Sequence, residues 1–410
     1  MKNPELKILW PFDGLVLLVW FSTAISTIFS IDRAKSLADL LILCGFVLVY
    51  FFASRLRLDF RIGVLFLIVA VSAWLSFDPS REILTDHDLS WQIAVSALKT
   101  NFLLGSGPGT FAHDWGRFKP AFFNFSDDWL TRFNRASNFW AEVLATLGFF
   151  GLFSYFWLAL GLVKFKLEND RFRRVFGDTG LVNRENALFL VLAIIFIARF
   201  FYYQEIILGL GFLLVLGLFV AQLAEERKIE KIQNRGWLIL GSVAGFLLFF
   251  LVSFFVFKTG LASFFYQRAL TIGNEGEKTR LLLKAIDWDS NRAEYLVVLS
   301  QAMMAQGENI LALASSQKAT EVSPNQASTW ENLGLVYQKL GSAPEAVDAF
   351  EKAVALEPTN PYLYFKIGQT YFEAGQKTEA RENFIKSIQF KPDFETPRLY
   401  LGLIQDSDAK

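Results

Sequence analysis

The sequence predicts an all-α protein of two unlike parts: a polytopic helical membrane domain over residues 1–257 and an α-solenoid of stacked helix pairs over 258–410. Three observations predict it. Hydrophobic residues make up 53% of the 410 and charged residues 20%, with a mean hydropathy of +0.33, greasier than a chain built only for water. Nearly all the long apolar runs fall before residue 258. Beyond it the residue pattern returns every 34 positions, the period of a repeated helix pair.

A run of roughly 20 apolar residues spans the hydrocarbon of a bilayer. About seven runs qualify: 10–30, 37–54, 62–77, 138–163, 186–203, 206–223 and 237–257, the third short and the fifth containing Arg199. Basic loops orient them. With the N-terminus inside, the inner segments 1–9, 55–61, 164–185 and 224–236 carry 15 Lys and Arg, including "SRLRLDFR" and "KFKLENDRFRR". The outer segments 31–36, 78–137 and 204–205 carry 8. That bias places the N-terminus in the cytoplasm, the spans in the cytoplasmic (inner) membrane, and both the 78–137 loop and residues 258–410 outside it. The first run reads as an uncleaved anchor, because further spans follow it.

Other classes are disfavoured by composition. Lys plus Arg and Asp plus Glu number 40 each, so charge gives no case for nucleic acid. The lone Cys44 supplies neither a disulfide nor a thiolate metal site. His87 and His113 are well separated in sequence and make a weak metal case. No metal and no cofactor are expected.

In the second part, "ASTWENLGLVYQKLGSAPEAVDAFEKAVALEPTN" starts at Ala327 and "PYLYFKIGQTYFEAGQKTEARENFIKSIQFKPDF" continues from Pro361. Offsets of 34 align Gly334 with Gly368, Gly341 with Gly375, Phe350 with Phe384 and Pro358 with Pro392. Residues 292–325 form a weaker unit in the same register, and 258–291 end like yet another. Small residues (Gly334, Ala346, Ala353) let two helices approach, while Leu333, Tyr337 and Phe350 fill the groove between neighbours. The pattern resembles the tetratricopeptide repeat, strongly over 326–393. The resemblance implies a superhelical array that binds a protein partner through its surface.

The outer loop holds "NFLLGSGPGTFAHDWG", with Gly105, Gly107 and Gly109 before His113. It lacks the third glycine of a dinucleotide fingerprint and the lysine of a P-loop. By itself it marks a sharp backbone bend. Around it lie the amphipathic "LSWQIAVSALKTNFLL", an aromatic polar segment, and Ser137-Asn138 followed after nine residues by Gly148-Phe149-Phe150-Gly151-Leu152. This order resembles the O-antigen ligase and polymerase family of bacterial membrane glycosyltransferases over 15–37 and 90–163. Where that family keeps a histidine this chain has Ser137, and it has fewer spans than the family's usual dozen or so.

The resemblance implies transfer or polymerisation of a glycan from an undecaprenyl-diphosphate carrier at the outer face of the membrane. Such chemistry needs a base for the acceptor hydroxyl and cations for the leaving diphosphate. The candidate bases are Glu142 and His113. The candidate diphosphate and substrate ligands are Arg117, Arg132, Arg135, Asn138 and Arg199, with Lys119 as a point charge. Arg135, Asn138, Glu142 and Thr146 follow helical spacing and form one polar stripe. Each has a plainer reading: an ion pair or hydrogen bond for Glu142, a solvated loop residue for His113, a pair with Glu205 or headgroup snorkelling for Arg199. The loop aromatics Phe111, Trp115, Phe118, Phe122, Phe123, Phe125, Trp129 and Phe133 suit either sugar stacking or an interfacial belt. Two functions are therefore expected: a membrane glycosyltransferase with a recruiting repeat domain, or a non-catalytic, membrane-anchored scaffold for an envelope assembly complex.

Overall fold

The computed structural model describes residues 12–55, 86–168, 184–198, 211–220, 254 and 257–408. Their regular elements are helices, as the sequence predicts. The chain divides into two compact units. One holds the described residues up to 111 and from 135 to 254; the other holds 112–134 together with 257–408. The second grouping departs from the sequence reading, which treated 78–137 as one outer loop of the N-terminal part.

In the first unit lie α1 (Asp13–Ile28), α2 (Arg33–Arg55), α3 (His87–Thr100), the start of α4 (Phe111–Phe118), α5 (Phe139–Glu168) and α6 (Arg184–Ala198), with α7 at Gly211–Val220. Val16, Val19, Tyr50, Leu158, Leu192, Leu216 and Phe219 make its largest core. The buried Asp13 sits within that packing and accepts a hydrogen bond from the Tyr50 hydroxyl at 2.9 Å.

Among the described residues one stretch, Phe139–Lys164, is long and apolar enough to cross a membrane. A seven-span domain is thus not supported by them. The first predicted span yields a helix of only 16 residues, α1, which ends at Ile28. Span 62–77, most of span 237–257 and Arg199 lie outside the described residues.

The stretch 139–164 is itself interrupted. Gly148 has φ 64° and ψ −160°, so α5 is two helical segments end to end, and breaking a helix leaves carbonyls and amides without intrahelical partners. The glycine turn supplies them. The amides of Ser106 and Gly107 donate to the carbonyls of Ala145 (3.2 Å) and Thr146 (2.8 Å), while those of Phe149 and Phe150 donate to Phe102 (2.9 Å) and Leu103 (3.1 Å). The approach is backbone to backbone: a Cβ on Gly105 would lie 2.4 Å from the carbonyl carbon of Thr146. Gly107 and Gly109 close instead on side chains, those of Ser30 and Asp39. A turn that resembles a ligand loop in sequence is here the splint of a broken helix.

The second unit is a solenoid. α8 (257–270) pairs with α9 (Glu275–Trp288), α10 (Ala293–Ala305) with α11 (Asn309–Val322), α12 (Ala327–Lys339) with α13 (Ala343–Leu356), and α14 (Pro361–Glu373) with α15 (Lys377–Phe390); α16 (Glu395–Asp408) follows. The repeat chemistry explains the pairing. The Phe350 ring lies against Gly334 and the Phe384 ring against Gly368, each within 2.7 Å of where a Cβ would stand. In the weaker 292–325 unit the equivalent positions are Ser300 and Ser316, whose hydroxyls hydrogen-bond at 2.7 Å, and Asn332 of the next repeat donates to Ser316 at 2.9 Å. A polar contact replaces the aromatic knob, so this unit is faint in sequence yet folded alike.

Candidate functional site

The solenoid has one row of features that the sequence reading did not see. Its inter-repeat turns at 289–292, 323–326, 357–360 and 391–394 repeat in register, with the fourth amide of the last three donating to the first carbonyl. Along three of them lies the segment 112–134, hereafter the arm. At the first, His113 Nδ1 is 3.1 Å from the carbonyl oxygen of Asn325. At the second, Asn124 Nδ2 donates to the carbonyl of Thr359 at 2.7 Å, the residue one repeat beyond Asn325. The Thr359 hydroxyl donates back to the Lys119 carbonyl at 3.1 Å.

Arg132 anchors the arm. Its Nε and Nη2 donate to Glu357 Oε1 (2.5 Å) and Oε2 (2.8 Å), and Nη2 also reaches Glu331 Oε2 at 2.6 Å. This is the two-pronged geometry a guanidinium makes with a carboxylate. Burial opposes both charges, but the pairing outweighs it: the guanidinium is held more firmly protonated and the Glu357 carboxyl is held below its usual range. At the third turn Lys391 Nζ donates to the Asn124 carbonyl at 2.7 Å and stands 5.2 Å from the Trp129 ring centre. The Phe394 ring completes that contact 5.4 Å from Trp129. Trp115, Phe123 and Phe133 pack edge to face inside the arm, at 4.7–5.9 Å. Arm aromatics are thus partly core, a use that neither sugar stacking nor an interfacial belt anticipates.

Lys119, within the arm, is buried, its Nζ donating to the Trp129 carbonyl at 2.6 Å. Burial lowers its pKa from 10.5 to about 8; Glu357 opposes the fall, while Arg132 and Lys391 add to it. Below about 8 the ammonium is charged in folded and unfolded chain alike, so the whole burial cost is present. Between about 8 and 10.5 the unfolded chain binds more protons, and stability rises with pH. Wild type minus Lys119→Met should therefore gain about 1–3 kcal/mol of unfolding free energy between pH 7.5 and 10 by urea denaturation. A difference that is flat with pH would contradict the burial.

The remaining predicted site residues collect in the first unit. Arg135 Nη1 lies 3.1 Å from Glu142 Oε1 and 3.4 Å from Asp39 Oδ2, and the Ala136 amide donates to Glu142 Oε2 at 2.8 Å. Asn138 is the N-cap of α5, its Oδ1 accepting from the Ala141 amide at 2.9 Å. The Ser137 amide donates to Ser90 Oγ at 2.9 Å, and His87 Nδ1 stands 3.4 Å from its hydroxyl. Glu142 is buried and engaged with a cation and an amide, both from the segment just before α5. Gly151 packs on Leu147 within α5, and Arg117 lies 5.5 Å from the Phe118 ring centre. The predicted set is therefore divided: His113, Arg117 and Arg132 belong to the unit with the repeats, and Arg135, Ser137, Asn138 and Glu142 to the other. Glu331, Glu357, Lys391 and Phe394 were missed. Their one sequence signal is that Ser323, Glu357 and Lys391 share a repeat position yet differ in charge.

The geometry and the comparisons agree on class: the C-terminal part of the chain is a run of tetratricopeptide repeats, and residues 325–393 match the tetratricopeptide repeat family model. Over 87 residues the chain is 32% identical to the photosystem I assembly protein Ycf3 of Synechococcus sp. (strain CC9605), covering 20% of this chain and 50% of that protein. The same protein of strain WH7803 is similar to the same extent. The chain spans about half the length of these curated relatives. Among solved structures it is similar to MamA (26% identity, 35% of this chain and 84% of that one, TM-score 0.33). It is also similar to MamA 41-end from Desulfovibrio magneticus RS-1 (23% identity, 37% and 86%, TM-score 0.35). The family match falls on the repeat part of the sequence resemblance and not on its O-antigen ligase part.

Proposed function

We propose that the protein is a membrane-anchored tetratricopeptide scaffold that holds partner proteins in an assembly, with no chemistry of its own. The observation that carries the reading is the solenoid with side-chain recognition at three successive turns. Its likeness to Ycf3, named as an assembly protein, supports the same kind of role. Removing residues 292–410 should disperse co-migrating partners in native gels, while Glu142→Gln and Arg135→Lys leave them in place. Partners that survive the deletion and are lost with a single replacement would overturn the scaffold.

The anchor in this proposal is α5, set in the cytoplasmic membrane with the repeats outside. Phe149, Phe153, Phe156, Trp157, Leu160 and Val163 are exposed along it, and Phe102, Phe149, Phe153 and Trp157 stack in sequence at 5.3–6.3 Å. An exposed apolar stripe of this length suits acyl chains. Tryptophan emission in brominated phosphatidylcholine vesicles should be quenched less in Trp157→Phe than in wild type. Equal quenching would remove the support for a lipid-facing stripe.

Glycan transfer from an undecaprenyl-diphosphate carrier is the second reading. What favours it is the meeting of Asp39, Arg135, Asn138 and Glu142 beside the glycine turn; against it, the base and the cation are already paired with each other. Transfer by the purified protein from a lipid-linked glycan to an acceptor, abolished by Glu142→Gln, would establish it over the scaffold.

A further inference from the structure

We infer that the row of inter-repeat turns is a peptide-binding site in its own right, filled in cis by residues 112–134. In trans it takes a partner's compactly turned segment carrying a tryptophan and, three residues on, an arginine. The inference rests on the scaffold reading and deepens it by naming a surface and the chemistry of what binds there.

The site is modular. The carbonyls of Asn325 and Thr359 occupy one repeat position, and each meets an arm side chain, His113 and Asn124. Glu357 and Lys391 occupy another, and each meets the arm with opposite charge: Glu357 takes the Arg132 fork, and Lys391 donates to a backbone carbonyl while facing Trp129. What is recognised is a set of side chains and backbone groups presented by a short 3-10 turn and the bend after it: an amide from the turn, an indole five residues on, set between a cation and Phe394, and an arginine fork three residues beyond the indole.

The arm is also an imperfect occupant. Asn124 is fully buried, and its Oδ1 has no hydrogen-bond partner among the described residues. An unmade bond at a buried acceptor weakens docking. Lys119 is a buried cation whose burial cost Glu357 offsets in part, while Arg132 and Lys391 add to it, which opposes docking again. A segment with an apolar residue at the first position and a fully satisfied polar residue at the second keeps the Arg and Trp contacts and sheds both costs. Such a segment has the advantage over the arm in all but effective concentration, which favours the tethered copy. Displacement therefore requires a partner held nearby, which is what an assembly scaffold provides.

The test uses the full chain and a fluorescein-labelled synthetic peptide, KPAFFNFSDDWLTRFN, matching residues 119–134. Fluorescence anisotropy should show binding to a Trp129→Ala/Arg132→Ala protein at least tenfold tighter than to wild type, whose site is filled. The same peptide with alanine in place of its arginine should bind that protein at least tenfold more weakly, and adding Glu331→Gln and Glu357→Gln to the protein should do likewise. Should the double variant lose its helical circular dichroism, Arg132→Lys, which keeps the charge and loses the fork, replaces it with the same expectations. Equal binding to wild type and variant, or binding to neither, overturns the inference. Partners lost on deleting 292–410 but retained in that case would leave the scaffold standing without this site. Retention after both would remove the two together.

Discussion

Replacing Phe350 with alanine is expected to destabilise the repeat unit by about 3–5 kcal/mol, the cost of emptying an aromatic site in a packed core. Phe350 is fully buried and packs with Ala346, Val347 and Ile367, with Tyr337 and Tyr371 at the margin. The void cannot collapse easily, because Gly334 contributes no side chain to fill it. Since Ile367 belongs to the next repeat, the loss crosses a repeat interface, and in a solenoid interface terms dominate cooperativity. Urea unfolding followed by circular dichroism should therefore show an earlier and broader transition. Leucine at 350 should restore much of the loss. A shift for alanine below about 1 kcal/mol would mean that the ring is not a core element.

The second large effect is at Gly148. Alanine there must adopt φ 64°, a conformation that side chains rarely tolerate, and its Cβ would stand 2.5 Å from the backbone nitrogen of Gly105 and 2.8 Å from the carbonyl carbon of Leu103. Neither neighbour is a flexible side chain, so the splint itself must move and its four hydrogen bonds with it. A loss of about 3 kcal/mol or more is expected. Gly14→Ala is the control: nothing lies within 4 Å of a Cβ there, so its thermal unfolding in mild detergent should match wild type. Similar behaviour of the two variants would contradict the splint.

The sequence-level reading reached furthest where structure is local. The 34-residue register carries helix lengths, the tight turns at Gly307, Gly341 and Gly375, which all have φ near 80°, and the Phe350–Gly334 contact, sixteen residues apart. It dimmed where Ser300 and Ser316 take over that contact, because a hydroxyl pair leaves no hydrophobic periodicity. The glycine turn was legible as a bend. Its purpose was not, since the groups it satisfies lie about forty residues later, at Ala145 and Thr146. The arm was read as a catalytic or interfacial loop for a related reason: its aromatics and arginines have the composition of either, and the carboxylates that claim Arg132 lie some two hundred residues away. Glu142 shows the same limit at short range. Spacing put it on a polar stripe, but only the fold reveals that Arg135 closes on it.

The docked arm is the central structural claim, and a double-mutant cycle between Arg132 and Glu357 tests it most directly. Arg132→Ala, Glu357→Ala and the double variant would be unfolded in urea at pH 7, where both partners are charged. The pair is only partly screened, Arg132 being 34% and Glu357 11% exposed in their side chains, so a coupling of about 1–3 kcal/mol is predicted. Single losses that simply add, to within about 0.5 kcal/mol, would contradict an arm held on the repeats by this pair.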